Sequence, residues 1–340
     1  MHETPHSVLA EYVDTVGRTN PIPLHSGGFS GAELWRIPAT AGDFVLRRWP
    51  DGQLNAGRLM FIHGMLRHAA RRGAPPVPVP VRSRAGATFV DYAGALWQLD
   101  PWLPGAAEVR RPPPVDRLTA ACRALAGFHA AVVDFPAPER REGSSPAVMQ
   151  RMQLWLEARH RGIEELQQAL EVELNADSAV AQLRRRGQEF LQLFASARSR
   201  LEAAFGATID SVVPLQPVIR DVTADHVLFT GDEVSGLIDF GSSAVDTPAV
   251  DLARLIGSFV GDDAALRDAA LAAYETSGHG RSLTTCERQL VVWLDTTGVW
   301  LSPYRWLRWI FVERRQFADE QAVVQRFDAL MQRVIAHETL

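Results

Sequence analysis

The 340-residue chain is 46% apolar, 8% aromatic and 22% charged, with 25 Gly and 21 Pro, a composition that excludes a disordered, collagenous or coiled-coil chain. Its 35 basic residues against 40 acidic ones leave a formal charge of -5, which argues against general nucleic-acid binding, and all 35 are arginine. With no lysine, a Walker A lysine, a Schiff base and a lysine general base are excluded.

A chain this long can bury about three quarters of its unfolded surface, so it needs neither disulfides nor metal to build a core. Cys122 and Cys286 are its two cysteines, which rules out a thiolate zinc cluster or a disulfide scaffold and fits a reducing compartment. The first thirty residues carry no basic-then-apolar leader, and Pro, Gly, Asp or Arg interrupts every apolar stretch before 18 residues. The expectation is a soluble cytoplasmic protein with no membrane partner; its oligomeric state stays open.

In chain order, residues 8–17 read as a short leading helix, and Pro21 and Pro23 lead into a turn holding Gly27, Gly28, Ser30 and Gly31. Residues 33–37 and 44–49 follow with strand-like content. Leu59, Ile62, Leu66 and Ala69 recur at helical spacing and predict a helix over 54–72, ended by Gly73 and the prolines of 75–80. Strands 88–92 and 95–99 form a hairpin over Ala93-Gly94. A domain boundary is expected near residues 101–114: 1–100 as a small β-rich lobe, 101–105 as a hinge and 106–340 as a larger helical lobe. In the latter, helices are expected at 115–133, 149–168 and 179–205, with 137–148 a connector. Short strands follow at 218–219, 226–229 and 234–238, turning over Gly231-Asp232. Further helices are expected at 249–259, 264–276, 285–299, 304–316 and 319–336.

The stretch Ile219-Arg220-Asp221-Val222-Thr223-Ala224-Asp225-His226, followed by Ile238-Asp239-Phe240-Gly241, carries the chemistry. A hairpin over 226–238 brings His226 close to Asp239, with Asp221 on the preceding loop. Such a cluster suits phosphoryl transfer from a metal nucleotide: one carboxylate orients an incoming hydroxyl while other groups hold Mg2+ on the phosphates. Taken singly, the two aspartates also read as turn or capping carboxylates.

These motifs resemble the aminoglycoside phosphotransferase and choline kinase family, whose pattern is broadly His-Gly-Asp, four residues, Asn, then an Asp-x-Gly segment after a short hairpin. The resemblance implies an α+β, two-lobed protein-kinase-like fold, ATP and Mg2+ as cofactors, and a small-molecule hydroxyl acceptor. By it Asp221 matches the catalytic Asp, His226 stands in place of the metal-binding Asn, and Asp239 matches the second metal ligand. Arg220 precedes Asp221 as the Arg of His-Arg-Asp does in protein kinases and either binds phosphate or anchors Asp221. Asp251, in Asp246-Thr247-Pro248-Ala249-Val250-Asp251-Leu252-Ala253, is implied to brace the catalytic loop, and Leu125-Ala126-Gly127-Phe128-His129 resembles a helix end of the family. Gly27, Gly28, Ser30 and Gly31 resemble the loop that covers ATP phosphates, and the segment holding Asp100 and Trp102 resembles the hinge against which adenine stacks.

Three features depart from the family pattern. Arg47 stands where the family has a phosphate-binding Lys, His226 replaces Asn, and the helix over 54–72 holds no acidic partner for Arg47, so the pair is either lost or completed from elsewhere. A nucleotide- or partner-binding module without transfer, resembling a pseudokinase, is therefore the alternative. Trp293, Trp300, Tyr304, Trp306, Trp309 and Phe311 read mostly as core, with some members, and Glu313, Arg314 and Arg315, as possible acceptor contacts. The acceptor's identity stays open.

Overall fold

The computed structural model describes residues 5–24, 29, 31–108, 110, 113–136, 141–171, 178–206, 212–279, 281–317 and 319–338. The chain divides into two compact units: Met1–Ala137 with Asp221–Ala244 and Ala269–Arg281, and Pro138–Arg220 with Val245–Asp268 and Ser282–Leu340. Among the described residues no helix is long and apolar enough to cross a membrane.

The first unit opens with α1 (Pro5–Leu9) and α2 (Val13–Val16), separated by a 3-10 turn over Ala10–Tyr12 where one continuous helix was expected. There follow β1 (Ile22–Leu24), β2 (Glu33–Ile37), β3 (Phe44–Arg48), α3 (Ala56–Arg71), β4 (Val90–Tyr92) and β5 (Ala95–Pro101). The strands form one antiparallel sheet in the order β1-β2-β3-β5-β4. The β4–β5 turn places both Ala93 (φ 52°) and Gly94 (φ 83°) at positive φ, the condition for the tight hairpin whose twist matches its strands. Asn55 caps α3 by accepting from the Arg58 backbone N–H, which sets the helix start two residues after the expected one.

Side chains alternate between the faces of a strand, and this alternation organises the sheet. On one face Phe44, Leu46, Ala95, Trp97 and Leu99 form a core with Val8, Leu9, Tyr12 and Val16 of the leading helices. The intervening residues of β3 and β5 include Arg47, opposite Gln98, and Val45, opposite Asp100. These project to the other face, where α3 contributes His63 to the same polar cluster.

The chain continues through β6 (Ala106–Ala107) and α4 (Val115–Val132), then enters the second unit. There β7 (Glu142–Gly143), α5 (Pro146–Glu157), α6 (Ile163–Leu170), α7 (Ala179–Gly206), β8 (Val213–Pro214) and β9 (Gln216–Val218) follow. It returns to the first unit for β10 (Val227–Thr230) and β11 (Glu233–Leu237), a hairpin whose β10 also pairs with β6. Last come β12 (Ala244–Asp246), α8 (Ala249–Val260), α9 (Ala264–Glu275), α10 (Thr285–Leu307) and α11 (Glu320–Glu338).

Aromatic rings fill the core of the second unit: Trp155 stacks on Phe205 at 4.8 Å between centroids, beside Phe194, which also meets Trp300 and Tyr304. Trp293, Trp300, Tyr304 and Trp306 are all buried, as their helical spacing predicts. The two helices expected at 285–299 and 304–316 are instead one helix, α10, with Pro303 inside it, followed by a π-turn over Arg308–Val312. Pro303 removes one helical hydrogen bond, but its turn is buried with Trp300, Tyr304 and Leu307, and that packing carries the helix through. A second π-turn, Ala158–Gly162, splits the helix expected at 149–168 into α5 and α6.

Gly162 closes that π-turn against Tyr304, whose hydroxyl donates to Glu157 Oε1 at 3.2 Å. A Cβ at residue 162 would overlap the Tyr304 hydroxyl and stand 3.0 Å from the Glu157 carbonyl oxygen. Overpacking of this kind costs about 2 kcal/mol. Gly162→Ala is therefore expected to lower the thermal midpoint, and Gly162→Ala with Tyr304→Phe, which removes the overlapped oxygen, is expected to regain part of it; circular dichroism melts check both.

Candidate active site

The polar face of the first unit is organised by Gln98. Its side-chain NH2 donates to both Asp100 carboxylate oxygens, at 3.0 and 2.8 Å, so its Oε1 is left to accept from Trp49 Nε1 at 2.7 Å and His63 Nε2 at 3.2 Å. His63 thus carries its proton on Nε2, and Nδ1 accepts from the Thr88 hydroxyl at 2.9 Å. Burial pushes this imidazole down to about 4, so it is neutral near pH 7. Sequence reading missed Gln98, Trp49 and His63; the available signal was the position of His63 beside Ile62 and Leu66 on the apolar face of α3 and the alternation of β5.

Trp49 joins this network to Arg47, whose guanidinium lies 4.8 Å from the indole centroid. Arg47 is mostly buried, and its Nε has no hydrogen-bond partner among the described residues. The acid missing from α3 is supplied by two other elements: Asp100 acts on Arg47 through the local field, and Asp239 Oδ1 lies 3.7 Å from Arg47 Nη1. Trp49 also explains Gly241, because its ring edge stands 2.9 Å from where a Cβ on residue 241 would be. Phe240 packs against Phe128 of α4 at 5.4 Å, anchoring the same segment.

The β10–β11 hairpin brings His226 to Asp239, with His226 Nε2 3.7 Å from Asp239 Oδ2. His226 Nδ1 donates to the Asp221 backbone carbonyl at 2.6 Å, so in the neutral ring the Nε2 lone pair faces the Asp239 carboxylate. That is the arrangement in which a ligating histidine is held by a backbone carbonyl. Among the described residues no three His, Cys, Asp or Glu side chains converge as a metal site, so the pair His226 and Asp239 fits a cation only with further oxygens from a ligand or water. Asp225 is exposed in a 3-10 turn beside them.

Arg220 and Asp239 both have left-handed backbones, with φ of 67° and 63°. Aspartate tolerates this region; for arginine it costs about 1 kcal/mol or more and must be held. In the second unit Asp251 supplies the hold: its Oδ1 accepts from Arg220 N at 2.6 Å and its Oδ2 from Ile219 N at 2.7 Å. The Arg220 side chain donates to Gln150 Oε1 at 2.5 Å and lies 3.7 Å from Asp246. The resemblance implied that Asp251 braces this loop, and these two bonds are that brace.

Gly27, Gly28 and Ser30 lie outside the described residues. Gly31 takes φ 75°, which a side chain would resist, next to Pro50. Asp100 sits on β5 with its side chain turned into the cavity also lined by Arg47, Trp49 and Asp239. Trp102 is elsewhere, its backbone N–H given to the Asp43 carbonyl at 2.9 Å and its ring under Arg36 at 5.2 Å. The arginine excess of this region largely serves structure: Arg48 meets Glu33 and Asp51, Arg72 meets Asp134, and Arg58 donates to Ser242 O.

Comparison with known proteins places this geometry in context. The model of a family described as the phosphotransferase enzyme family matches residues 22–283. The homoserine kinase of Methylobacterium sp. (strain 4-46) is 32% identical over 223 residues, 66% of this chain and 60% of that protein. The match thus spans less than two thirds of that curated relative's length. A spectinomycin phosphotransferase solved with ADP and spectinomycin superposes with a TM-score of 0.70 at 10% identity, covering 100% of both chains. An aminoglycoside phosphotransferase from Alicyclobacillus acidocaldarius subsp. acidocaldarius DSM 446 gives 0.59 at 16% identity, covering 100% of this chain and 95% of its own. The likeness establishes the kinase-like α+β fold, with a β-rich amino-terminal region and a helical carboxy-terminal one.

Two substitutions test this geometry. Asp251→Ala leaves the Ile219 and Arg220 N–H groups without their acceptor and is expected to cost about 3 kcal/mol, read as a lowered thermal midpoint. Burial raises the Asp100 carboxyl to about 6, with Arg47 and Gln98 pulling the other way. The folded chain therefore holds this proton more tightly than the unfolded one. As pH rises from about 4 through about 6, the folded state loses about 3 kcal/mol relative to a protonated Asp100. Asp100→Asn is expected to melt higher than the parent at pH 7.5, with the gap closing by pH 4. A gap independent of pH contradicts this assignment.

Proposed function

This chain is a member of the phosphotransferase enzyme family, and we propose that it moves the γ-phosphate of ATP to a hydroxyl of a small-molecule acceptor. The observation that carries this reading is the convergence of Arg47 and His226 on the two oxygens of Asp239, with the imidazole hydrogen-bonded to Asp221. A buried guanidinium with an orphaned Nε is matched by a phosphate oxygen, which accepts from it and returns its charge. The named activity of the curated relative, a homoserine kinase, supports a small hydroxylated acceptor.

In this scheme Asp221 orients the acceptor hydroxyl and takes its proton at a carboxylate oxygen as the phosphoryl group arrives. Arg220 positions Asp221 through the backbone that Asp251 holds. Arg47 binds phosphate, with Trp49 and Asp100 fixing its guanidinium. Asp239 and His226 are the side chains assigned to a divalent cation such as Mg2+, whose contribution when bound is to neutralise phosphate charge. The segment holding Gly27, Gly28, Ser30 and Gly31 is assigned to the phosphates. The two free cysteines, Cys122 and Cys286, support a reducing, cytoplasmic location.

Calorimetric titration of ATP, with and without Mg2+, tests the proposal. The expected result is saturable, Mg2+-dependent binding that Asp239→Ala weakens at least tenfold. Asp221→Asn is expected to keep that binding while lowering turnover in an acceptor screen by about 10^2- to 10^4-fold. ATP binding without ADP formation across the acceptors favours the non-transferring module. No binding at millimolar ATP overturns the nucleotide assignment. Imidazole is a poor ligand for Mg2+, so His226→Asn is expected to strengthen Mg2+-dependent ATP binding.

A further inference from the structure

In sequence residues 101–105 read as a hinge, but the chain that follows β5 is interlocked with the hairpin carrying His226 and Asp239. β6 pairs with β10, Ala106 facing Phe229 and Ala107 facing Leu228, at the point where β10 shifts its register against β11. Gly105 takes φ 99° and approaches so closely that a Cβ there would overlap Ser235 Oγ and stand 2.5 Å from the Phe229 carbonyl oxygen. Ser235 Oγ donates to the Pro104 carbonyl at 2.6 Å. Gly236 faces Leu103, whose Cδ1 and Cβ would stand 2.7 and 3.1 Å from a Cβ at residue 236.

The tip and base of the hairpin are held as well. At the tip Arg117 of α4 donates to the Gly231 carbonyl at 2.8 Å and to Asp232 Oδ1 at 3.1 Å. The same guanidinium donates to Glu108 Oε2 at 2.8 Å and lies 5.2 Å from the Phe229 ring centroid. At the base the Leu237 N–H donates to the Pro76 carbonyl at 2.9 Å, and the Ile238 N–H to the His226 carbonyl at 3.0 Å. A lone two-stranded hairpin is marginal in water, so its ends keep their spacing only when other elements hold it. A hinge needs the opposite, a few residues free to change φ and ψ with little packing to break. Flexing at residues 103–108 would part β6 from β10, break the Ser235 bond and pull Arg117 from either Glu108 or the tip.

We propose that residues 103–108 are a fixed seat for the hairpin rather than a hinge, with Ser235 and Arg117 as positioning residues that keep His226 and Asp239 in place beside Arg47 throughout nucleotide binding. This inference rests on the roles proposed above for His226, Asp239 and Arg47. β3, which carries Arg47, pairs with β5, and β5 runs directly into the seat, so the phosphate-binding cation and the hairpin share one framework. All of these segments belong to the first unit. The seat sets their geometry before nucleotide arrives, which lowers the ordering cost of binding.

A covalent staple tests this. Leu103→Cys with Gly236→Cys removes the leucine branch that a side chain at 236 would meet and brings two Cβ atoms near disulfide distance. Peptide mapping verifies the bond, and ATP with Mg2+ is titrated calorimetrically into the oxidised and the reduced protein. The two affinities are expected to agree within threefold; a larger loss on oxidation overturns the proposal. Hydrogen exchange without nucleotide is the second measurement. Ser235→Ala is expected to speed exchange over residues 226–239 about fivefold, the scale of one hydrogen bond, with residues 118–132 of α4 unchanged, and Ser235→Thr is expected to restore the parent rate. Exchange over 226–239 that gains no more than α4 overturns the seat, whether or not the staple forms. Absence of ATP binding by the parent protein counts against phosphotransfer alone, since the exchange is read without nucleotide.

Discussion

The candidate site depends on the hydrogen bonds of one buried amide. Gln98 donates to Asp100 and accepts from Trp49 and His63, so one strand position, one loop position and one helix take their orientation from a single side chain. An amide suits this place because it carries donor and acceptor together without adding charge. A carboxylate would repel Asp100, and an apolar residue would leave the Trp49 and His63 N–H groups unsatisfied. Through Trp49 the effect reaches Arg47 by stacking and Gly241 by exclusion of a Cβ. The network supplies what an acid on α3 would otherwise provide, a fixed electrostatic environment for the cation.

Backbone strain and its support recur in the segments that hold Arg220 and Asp239. Arg220 and Asp239 adopt a conformation that most residues avoid, and each ends a stretch of extended chain where a polar group must turn away from the apolar neighbours. Asp251 makes the first tolerable by accepting two backbone N–H groups at once, a charge-assisted arrangement stronger than neutral pairing. Asp239 needs less help, since short carboxylate side chains accept left-handed geometry. Its neighbours fix it by packing: Phe240 on Phe128, and Gly241 under Trp49. Strain that surrounding structure pins in this way gives a side chain one orientation.

The all-arginine composition acquires meaning from where the guanidinium groups lie. Many are ordinary surface partners, such as Arg48 with Glu33 and Arg117 with Asp232, and exposed pairs of this kind add little stability. Arg47 differs because its head is mostly withdrawn from solvent and lies 3.7 Å from the Asp239 carboxylate. Arginine keeps its charge under such conditions where lysine would readily lose it, so a lysine-free chain can still place permanent cations in its interior.

The meeting of His226 with Asp239 was legible in the sequence because a short hairpin is a local object: strand alternation and the turn at Gly231-Asp232 bring its two ends together almost irrespective of the rest. Asp251 was legible only through its motif, since the loop it braces lies about thirty residues earlier in the chain. Alternation in β5 also marks Gln98 and Asp100 as facing away from Trp97 and Leu99, yet it does not say what they meet. That depended on which face of α3 was laid against the sheet, a choice made by burial of Leu59, Ile62 and Leu66. Helix ends were less legible. The expected start of α3 fell two residues early, ahead of the Asn55 cap, and the continuity of α10 through Pro303 was decided by the buried aromatic packing around it. The sequence by itself determined the chemistry of short segments, because turns and alternation act over a few residues; tertiary structure decided which charges share a space, because that follows from the packing of apolar faces distant in the chain.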